Sequence, residues 1–281
     1  LNKKALFCQF LLCAFWDKVF KNKISYMFTD FKNKNVLITG GSRGIGKACA
    51  LLFSSLQANV IITYKSNKEE AEKTLQTLDQ KQQHSMFQLD VSQPQEIETF
   101  FEKILEQYKT LDVVVNNAGI YKEHKINEVS YAEWQQSWQE TLDTNLTGVS
   151  NVCYFAGRQM MQQKKGKIIN ISSRGAFRGE PNHPAYGASK AGLNAMSQSL
   201  AVALAPYNIT VGVVAPGYVE TDMVADYLAS KEGDAVKKQS PMNRVARPDE
   251  VARAVAMFAS EGNEFMTGGI IDVNGASYLR S

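Results

Sequence analysis

Short apolar runs alternate with longer stretches in which apolar positions recur every three or four residues, and the alternation continues along most of the chain. Apolar runs of four to six residues bounded by polar turns predict strands buried on both faces. They fall at residues 35–39, 60–63, 85–89, 111–115, 166–171, 209–214 and 269–273. Residues 47–57 place Ala48, Leu51, Leu52 and Ser55 at helical spacing, which predicts a helix with one face against the sheet. Strands alternating with helices build βα units. The predicted fold class is α/β: a single-domain Rossmann-type doubly wound parallel sheet of about seven strands, with helices on both faces. Right-handed crossovers gather its loops beyond the carboxyl ends of the strands, where such sheets bind ligands.

Turn residues support this division. No proline precedes Pro94, so the first two helices run uninterrupted, while Pro181, Pro184, Pro206 and Pro216 fall where turns are expected. The first 26 residues stand apart from the pattern. Asn2-Lys3-Lys4 precedes an apolar run over residues 5–16 that is too short to span a bilayer and is signal-like in its core, yet no small-x-small cleavage site follows. Residues 1–26 read as an upstream extension outside the catalytic fold, with a targeting segment, a membrane-surface helix or a packed extra helix as alternatives, and 27–281 as one domain.

Composition narrows the function. At 281 residues with 44% apolar and 21% charged side chains, the chain is long enough for one sizeable core. A net charge of +3 with mixed signs provides no basic stripe for nucleic acid. Cys8, Cys13, Cys49 and Cys153 are too scattered for a disulfide framework, so a reducing compartment, the cytoplasm, is expected. His84, His124 and His183 share no ligand spacing, which leaves no metal site and reads them as surface or loop residues; only His183 falls near the chemistry below.

Between the first strand and helix lies Thr39-Gly40-Gly41-Ser42-Arg43-Gly44-Ile45-Gly46. A glycine-rich turn there lets backbone N–H groups approach a pyrophosphate at a helix N-terminus. Gly40, Gly44 and Gly46 fill that role. The end of the second strand, where enzymes using NAD place a carboxylate for the ribose hydroxyl, holds Tyr64 and Lys65 instead. Arg43, Lys65 and Ser66 offer cations and a donor to a 2′-phosphate, which predicts NADP(H) in preference to NAD(H).

Tyr-x-x-x-Lys occurs four times, at Tyr64, Tyr121, Tyr186 and Tyr227, and only Tyr186 has a serine thirteen residues upstream, Ser173. Lys190 lies one helical turn from Tyr186, where its charge would stabilise a phenolate and lower the tyrosine pKa. In register with these come Asp90-Val91, Asn116-Asn117-Ala118-Gly119, Asn145 and Pro216-Gly217 followed by Thr221.

From about residue 31 to residue 281 the chain resembles the short-chain dehydrogenase/reductase family, and within it the NADP-dependent 3-oxoacyl-acyl-carrier-protein reductases. The turn fits the family's Thr-Gly-x-x-x-Gly-Ile-Gly, with Gly40, Ser42, Arg43, Gly44, Ile45 and Gly46 against the cofactor. The resemblance implies that Asp90 and Val91 contact the adenine, that Asn116, Ala118 and Gly119 line the ribose side, and that Pro216, Gly217, Val219 and Thr221 close over the nicotinamide. It further implies Asn145, Ser173, Tyr186 and Lys190 as a catalytic set. There Tyr186 gives the proton, Ser173 (rather than adjacent Ser172) holds the carbonyl, Lys190 also holds the ribose, and Asn145 orders a water leading to Lys190. The implied activity is reduction of a carbonyl, a 3-oxoacyl thioester on an acyl carrier protein, by a homotetramer. A sugar, steroid or small ketone is the alternative substrate, and a catalytically silent nucleotide-sensing scaffold a third reading. Residues 134–145 form a longer segment than the acyl-carrier-protein reductases suggest, with Trp134 and Trp138 in it. Arg174, Arg178 and His183 either attract an anionic substrate or carrier or make surface salt bridges.

Overall fold

The computed structural model describes residues 31–221 and 230–280; the expectations for residues 1–26 lie outside them. Seven strands form: β1 (Asn35–Ile38), β2 (Asn59–Tyr64), β3 (Ser85–Gln88), β4 (Val113–Asn116), β5 (Gly166–Ile171), β6 (Ile209–Pro216) and β7 (Ile270–Val273). They pair in parallel as one sheet in the order β3-β2-β1-β4-β5-β6-β7. The helices are α1 (Gly44–Ser55), α2 (Lys68–Thr77), α3 (Pro94–Tyr108), α4 (Tyr131–Leu142), α5 (Gly148–Gln163), α6 (Pro184–Leu204), α7 (Lys231–Lys237) and α8 (Pro248–Ala259).

Alternation along the strands assigns the two faces. Leu37 is paired with Ile61 and Val114, and all three turn toward α3, α5 and α6, among Phe100, Phe101, Ile104, Val152, Met160 and Leu193. The next residue, Ile38, is paired with Ile62 and Val115 and faces the other layer, with Phe53 of α1 and Val251, Val255 and Phe258 of α8. Full burial of one such side chain contributes about 1.5–3 kcal/mol. Because strand residues of both parities are buried, the apolar runs have no polar alternation.

Helix α1 begins three residues before the expected 47, immediately after the glycine turn. Glycine is a poor helix former, but Gly46 is required here, because a Cβ would collide with the Gly40 carbonyl oxygen and the Asn117 side chain. Gly44, with φ +55°, takes the left-handed step that starts the helix. A second local difference lies at Asn145, which the sequence places mid-helix. Helices α4 and α5 are joined without a break by a π-helical turn, Asp143–Thr147, with Asn145 at its centre. An extra residue in a turn re-aims the side chains on it, and α4 enters from a capping box of Ser130 and Glu133.

From β1 the chain proceeds to β2 on one side, while β4 lies on the other. The loops leaving β1 and β4 therefore diverge at the carboxyl end of the sheet and open a crevice between them.

Candidate active site

That crevice is a cavity of about 580 Å³ over the carboxyl ends of the strands. One half is built from the turn after β1. Gly40, Ser42, Arg43, Gly44 and Ile45 line it, and the Arg43 side chain makes no capping bond, so the first N–H groups of α1 are free to meet a ligand. Loops β1–α1 and β4–α4 are bolted together. Thr39 Oγ1 accepts the N–H groups of Asn117 and Ala118 (both 3.0 Å), and Asn117 Nδ2 donates to the carbonyls of Thr39 and Gly40 (both 3.0 Å). The Asn116-Asn117-Ala118-Gly119 motif does not by itself mark this bolt; of its two asparagines, Asn117 is the one at the turn. Asn116 points into the core, donating to Asn170 Oδ1 (2.8 Å) and Cys153 Sγ (3.3 Å), and is not on the cavity wall. Gly46 and Asn145 also lie behind the wall, whereas Ala118 and Gly119 are on it.

Lys65, Ser66, Asp90 and Val91 line the far end. Lys65 is not the free cation the sequence suggests: its ammonium lies 2.7 Å from Asp90 Oδ2, because β2 and β3 are neighbours and their ends bring the two residues together. Burial pushes the Asp90 carboxyl up, but bonds from Lys65 and Ser92 hold it below its ordinary value. Arg43 is exposed at the cavity rim. The cradle without room for a Cβ, the open helix N-terminus and the rim arginine fit a phosphorylated dinucleotide.

Ser173, Tyr186 and Lys190 line the cavity too, as do Pro216, Gly217, Val219 and Thr221. Ser173 follows β5, and its Oγ accepts the Gly175 N–H at 3.0 Å, which fixes the hydroxyl at the cavity edge. Tyr186 and Lys190 share one face of α6, which starts with Pro184 at its first turn. Lys190 Nζ donates to the Ile171 carbonyl at 2.8 Å and lies 5.8 Å from the Tyr186 ring centre; burial lowers its pKa to about 8. Tyr186 departs from the expected direction. Its pKa is raised, chiefly by burial, with Glu180 and Tyr218 adding to the rise and the Ser173 hydroxyl opposing it. A lysine bonded to a carbonyl and itself desolvated does not offset that burial. Asn145 grips the loop after β4: Oδ1 accepts the Ile120 N–H (2.8 Å) and Nδ2 donates to the Ile120 carbonyl (2.9 Å).

Four further residues stand near the tyrosine: His183, which the sequence already places near the chemistry, and Tyr121, Glu180 and Tyr218, which sequence spacing does not single out. The Tyr121 ring stacks on His183 at 3.6 Å and meets Tyr186 edge-on at 4.7 Å. Glu180 and Tyr218 line the same end, and burial raises the Glu180 pKa. Burial also holds His183 near pKa 4, so it is neutral at pH 7 and attracts no anion. His124 is buried rather than on the surface, with Nε2 accepting the Ala185 N–H at the start of α6. His84 lies, as expected, in a loop, immediately before β3, where it accepts the Val60 N–H. The surface salt-bridge reading of Arg174 and Arg178 fails among the described residues: Arg174 is buried and Arg178 donates to Gln239. Among these residues no cluster of potential metal ligands occurs, and no helix is long and apolar enough to cross a membrane.

A family model described as enoyl-(acyl carrier protein) reductase matches residues 40–276. The chain is 36% identical over 247 residues to a 3-oxoacyl-(acyl-carrier-protein) reductase FabG of Staphylococcus aureus, covering 88% of this chain and 98% of that protein. It is 36% identical over 245 residues to the protein of that name from Chlamydia trachomatis, covering 86% and 96%. Among solved structures it resembles gox2181 (TM-score 0.83, 32% identity, covering 89% of this chain and 98% of that one). It also resembles ElxO with NADP bound (TM-score 0.79, 30% identity, covering 87% and 98%).

Proposed function

Because the chain belongs to the short-chain dehydrogenase/reductase family and is an NAD(P)-dependent oxidoreductase, we propose that it reduces the ketone of a 3-oxoacyl thioester to an alcohol with NADPH. The observation that carries this reading is the convergence of Ser173, Tyr186 and Lys190 in a cavity that Gly217 and Thr221 also line, with the Ser173 hydroxyl bonded to Tyr186 and the Lys190 ammonium 5.8 Å from its ring centre. Two hydroxyls aimed at one place suit a carbonyl oxygen, which gains charge as it is reduced and needs a proton.

When bound, the reduced nicotinamide supplies the hydride that bonds to the carbonyl carbon. Ser173 donates a hydrogen bond to the oxygen. Tyr186, kept protonated by burial, gives its phenolic proton to that oxygen, so the ketone leaves as a neutral alcohol. Lys190 sets its ammonium beside the resulting phenolate and prepares its reprotonation. Asn145 positions the Ile120 loop, and the water it would order leads toward Lys190. Arg43, Ser42 and the N–H groups of the β1–α1 turn would hold the phosphates, Arg43 taking the 2′-phosphate, with Ser66 and the Asp90-paired Lys65 alongside. Asp90 and Val91 take the adenine; Ala118 and Gly119 take the ribose side, with Asn116 bracing them from the core.

The carrier-protein assignment draws on the relatives named FabG. A homotetramer assembled through α5, α6 and the C-terminal strand is part of the same reading, supported by the exposed Tyr154 and Val202 on the two helices. Cys49 and Cys153, buried and unpaired, suit a reducing cytoplasm. The test is oxidation of NADPH by acetoacetyl-coenzyme A with formation of the 3-hydroxyacyl product. Turnover confined to sugars, steroids or simple ketones would replace the substrate, and cofactor binding with no carbonyl reduced would favour the silent scaffold.

A further inference from the structure

Immediately after Ser173 the chain buries a cation. Arg174 is 4% exposed, in the wall of the main cavity and of an adjoining one of about 230 Å³ that also includes Tyr218, Ser240 and Asn274. Its guanidinium lies 5.4 Å from the centre of the Tyr218 ring, and it makes no ion pair among the described residues. A guanidinium carries five donors; those of Arg174 are not among the buried atoms without a partner, so they face the cavity and take their acceptors from what occupies it. The nearest charged neighbours do not satisfy the guanidinium. Arg178, engaged by Gln239, repels it, and Glu180 attracts it from outside salt-bridge distance while also bonding to Tyr121. Among the described residues, the charged side chains that act on one another here are two arginines and one glutamate.

Resting on the reading that Ser173 and Tyr186 receive the reacting carbonyl, we propose that Arg174 determines substrate specificity by binding a second oxygen acceptor of the same molecule, two carbons from that carbonyl. A 3-oxoacyl group carries such an oxygen as its thioester carbonyl, and the free 3-oxo acid carries it as a carboxylate. The adjacency of Ser173 and Arg174 on one short turn lets the two oxygens be held together, and the planar fork of the guanidinium suits either acceptor. A ketone with no second oxygen displaces water from these donors and returns no acceptor, which penalises its binding.

The test compares the full-length wild-type protein with Arg174→Met and Arg174→Lys on acetoacetyl-coenzyme A, acetoacetate and 2-butanone. Melting temperature and NADPH affinity identify any variant that fails to fold. The Met variant is expected to lose roughly ten- to a hundredfold more kcat/KM on the two 3-oxo compounds than on 2-butanone, with Lys recovering part of the loss. A larger loss on acetoacetate identifies the carboxylate as the acceptor, and a larger loss on the thioester identifies its carbonyl. Equal losses on all three substrates overturn the proposal while leaving the reductase reading intact. Calorimetric titration of acetoacetate and acetoacetyl-coenzyme A in the presence of NADP⁺ reads binding whether or not turnover occurs. At least one should bind roughly tenfold more weakly to Arg174→Met; no binding to wild type, or equal affinities, overturns the proposal.

Discussion

Burial sets the protonation of the two central side chains, moving their pKa values in opposite directions but both toward the neutral form. Tyr186 is pushed toward its neutral phenol and Lys190, at about 8, toward its neutral amine. The ordinary lysine value is 10.5, so between these two pH values the unfolded chain holds the extra proton. The penalty that protonated Lys190 imposes on folding is thus full below pH about 8 and is relieved as pH rises toward 10.5. The rate responds in the other direction, because a neutral lysine cannot support the phenolate. The kcat/KM for NADPH, which reports groups of the free enzyme, should be level up to pH about 8 and fall above it; a profile level to pH 10 would remove Lys190 from the mechanism. At the rim, Arg43→Ala should raise the KM for NADPH roughly tenfold while changing that for NADH much less. Equal effects on the two cofactors would take Arg43 away from the 2′-phosphate. Tyr186, Lys190 and Ser173 were legible because their spacing is fixed by one helix and one strand end. Arg174 was legible only as one of two alternatives, a group that attracts an anion or a surface salt-bridge partner, and Glu180 carried no mark, since a charged residue in a loop reads as solvated until the turn at Arg174–Ala176 is seen to fold it against Tyr218.

At the scale of elements, the cofactor cradle depends on α1 starting where it does. Gly46→Ala would force a methyl group against the Gly40 carbonyl and Asn117, costing about 1–3 kcal/mol of stability and separating the bolted loops. Chemical denaturation should show that loss, together with weakened NADPH binding; wild-type stability and affinity would contradict the packing described. The strands were readable as apolar runs because both faces of the sheet are covered. The start of α1 was not, because Gly44-Ile45-Gly46 has the local character of a helix breaker and only its contact with the turn makes it helical. The π-turn around Asn145 left no mark in the periodicity of residues 131–163, whose apolar positions continue on both sides of it. Lys65 and Asp90, separated by 25 residues in sequence, meet only because β2 and β3 are adjacent.

For the whole molecule, sheet order decides where chemistry can occur. The reversal between β1 and β4 opens the crevice, and the two helical layers leave its carboxyl end uncovered. Outside the cavity, Tyr154 on α5 and Val202 on α6 are 61% and 79% exposed, and Phe265 before β7 is fully exposed. Apolar side chains on these elements would be covered in a homotetramer. Light scattering should give four times the chain mass of 31.2 kDa; a monomer at working concentrations would contradict that assembly.

The central claim is that Tyr186 delivers the proton for an NADPH-dependent carbonyl reduction. Its most direct test is NADPH oxidation by acetoacetyl-coenzyme A, with NADPH affinity measured in parallel, for wild type and Tyr186→Phe. The account predicts turnover by the wild type and a loss of roughly a hundredfold or more in the variant, with cofactor affinity nearly unchanged because the ring remains. Turnover by the variant within a few-fold of wild type would contradict it.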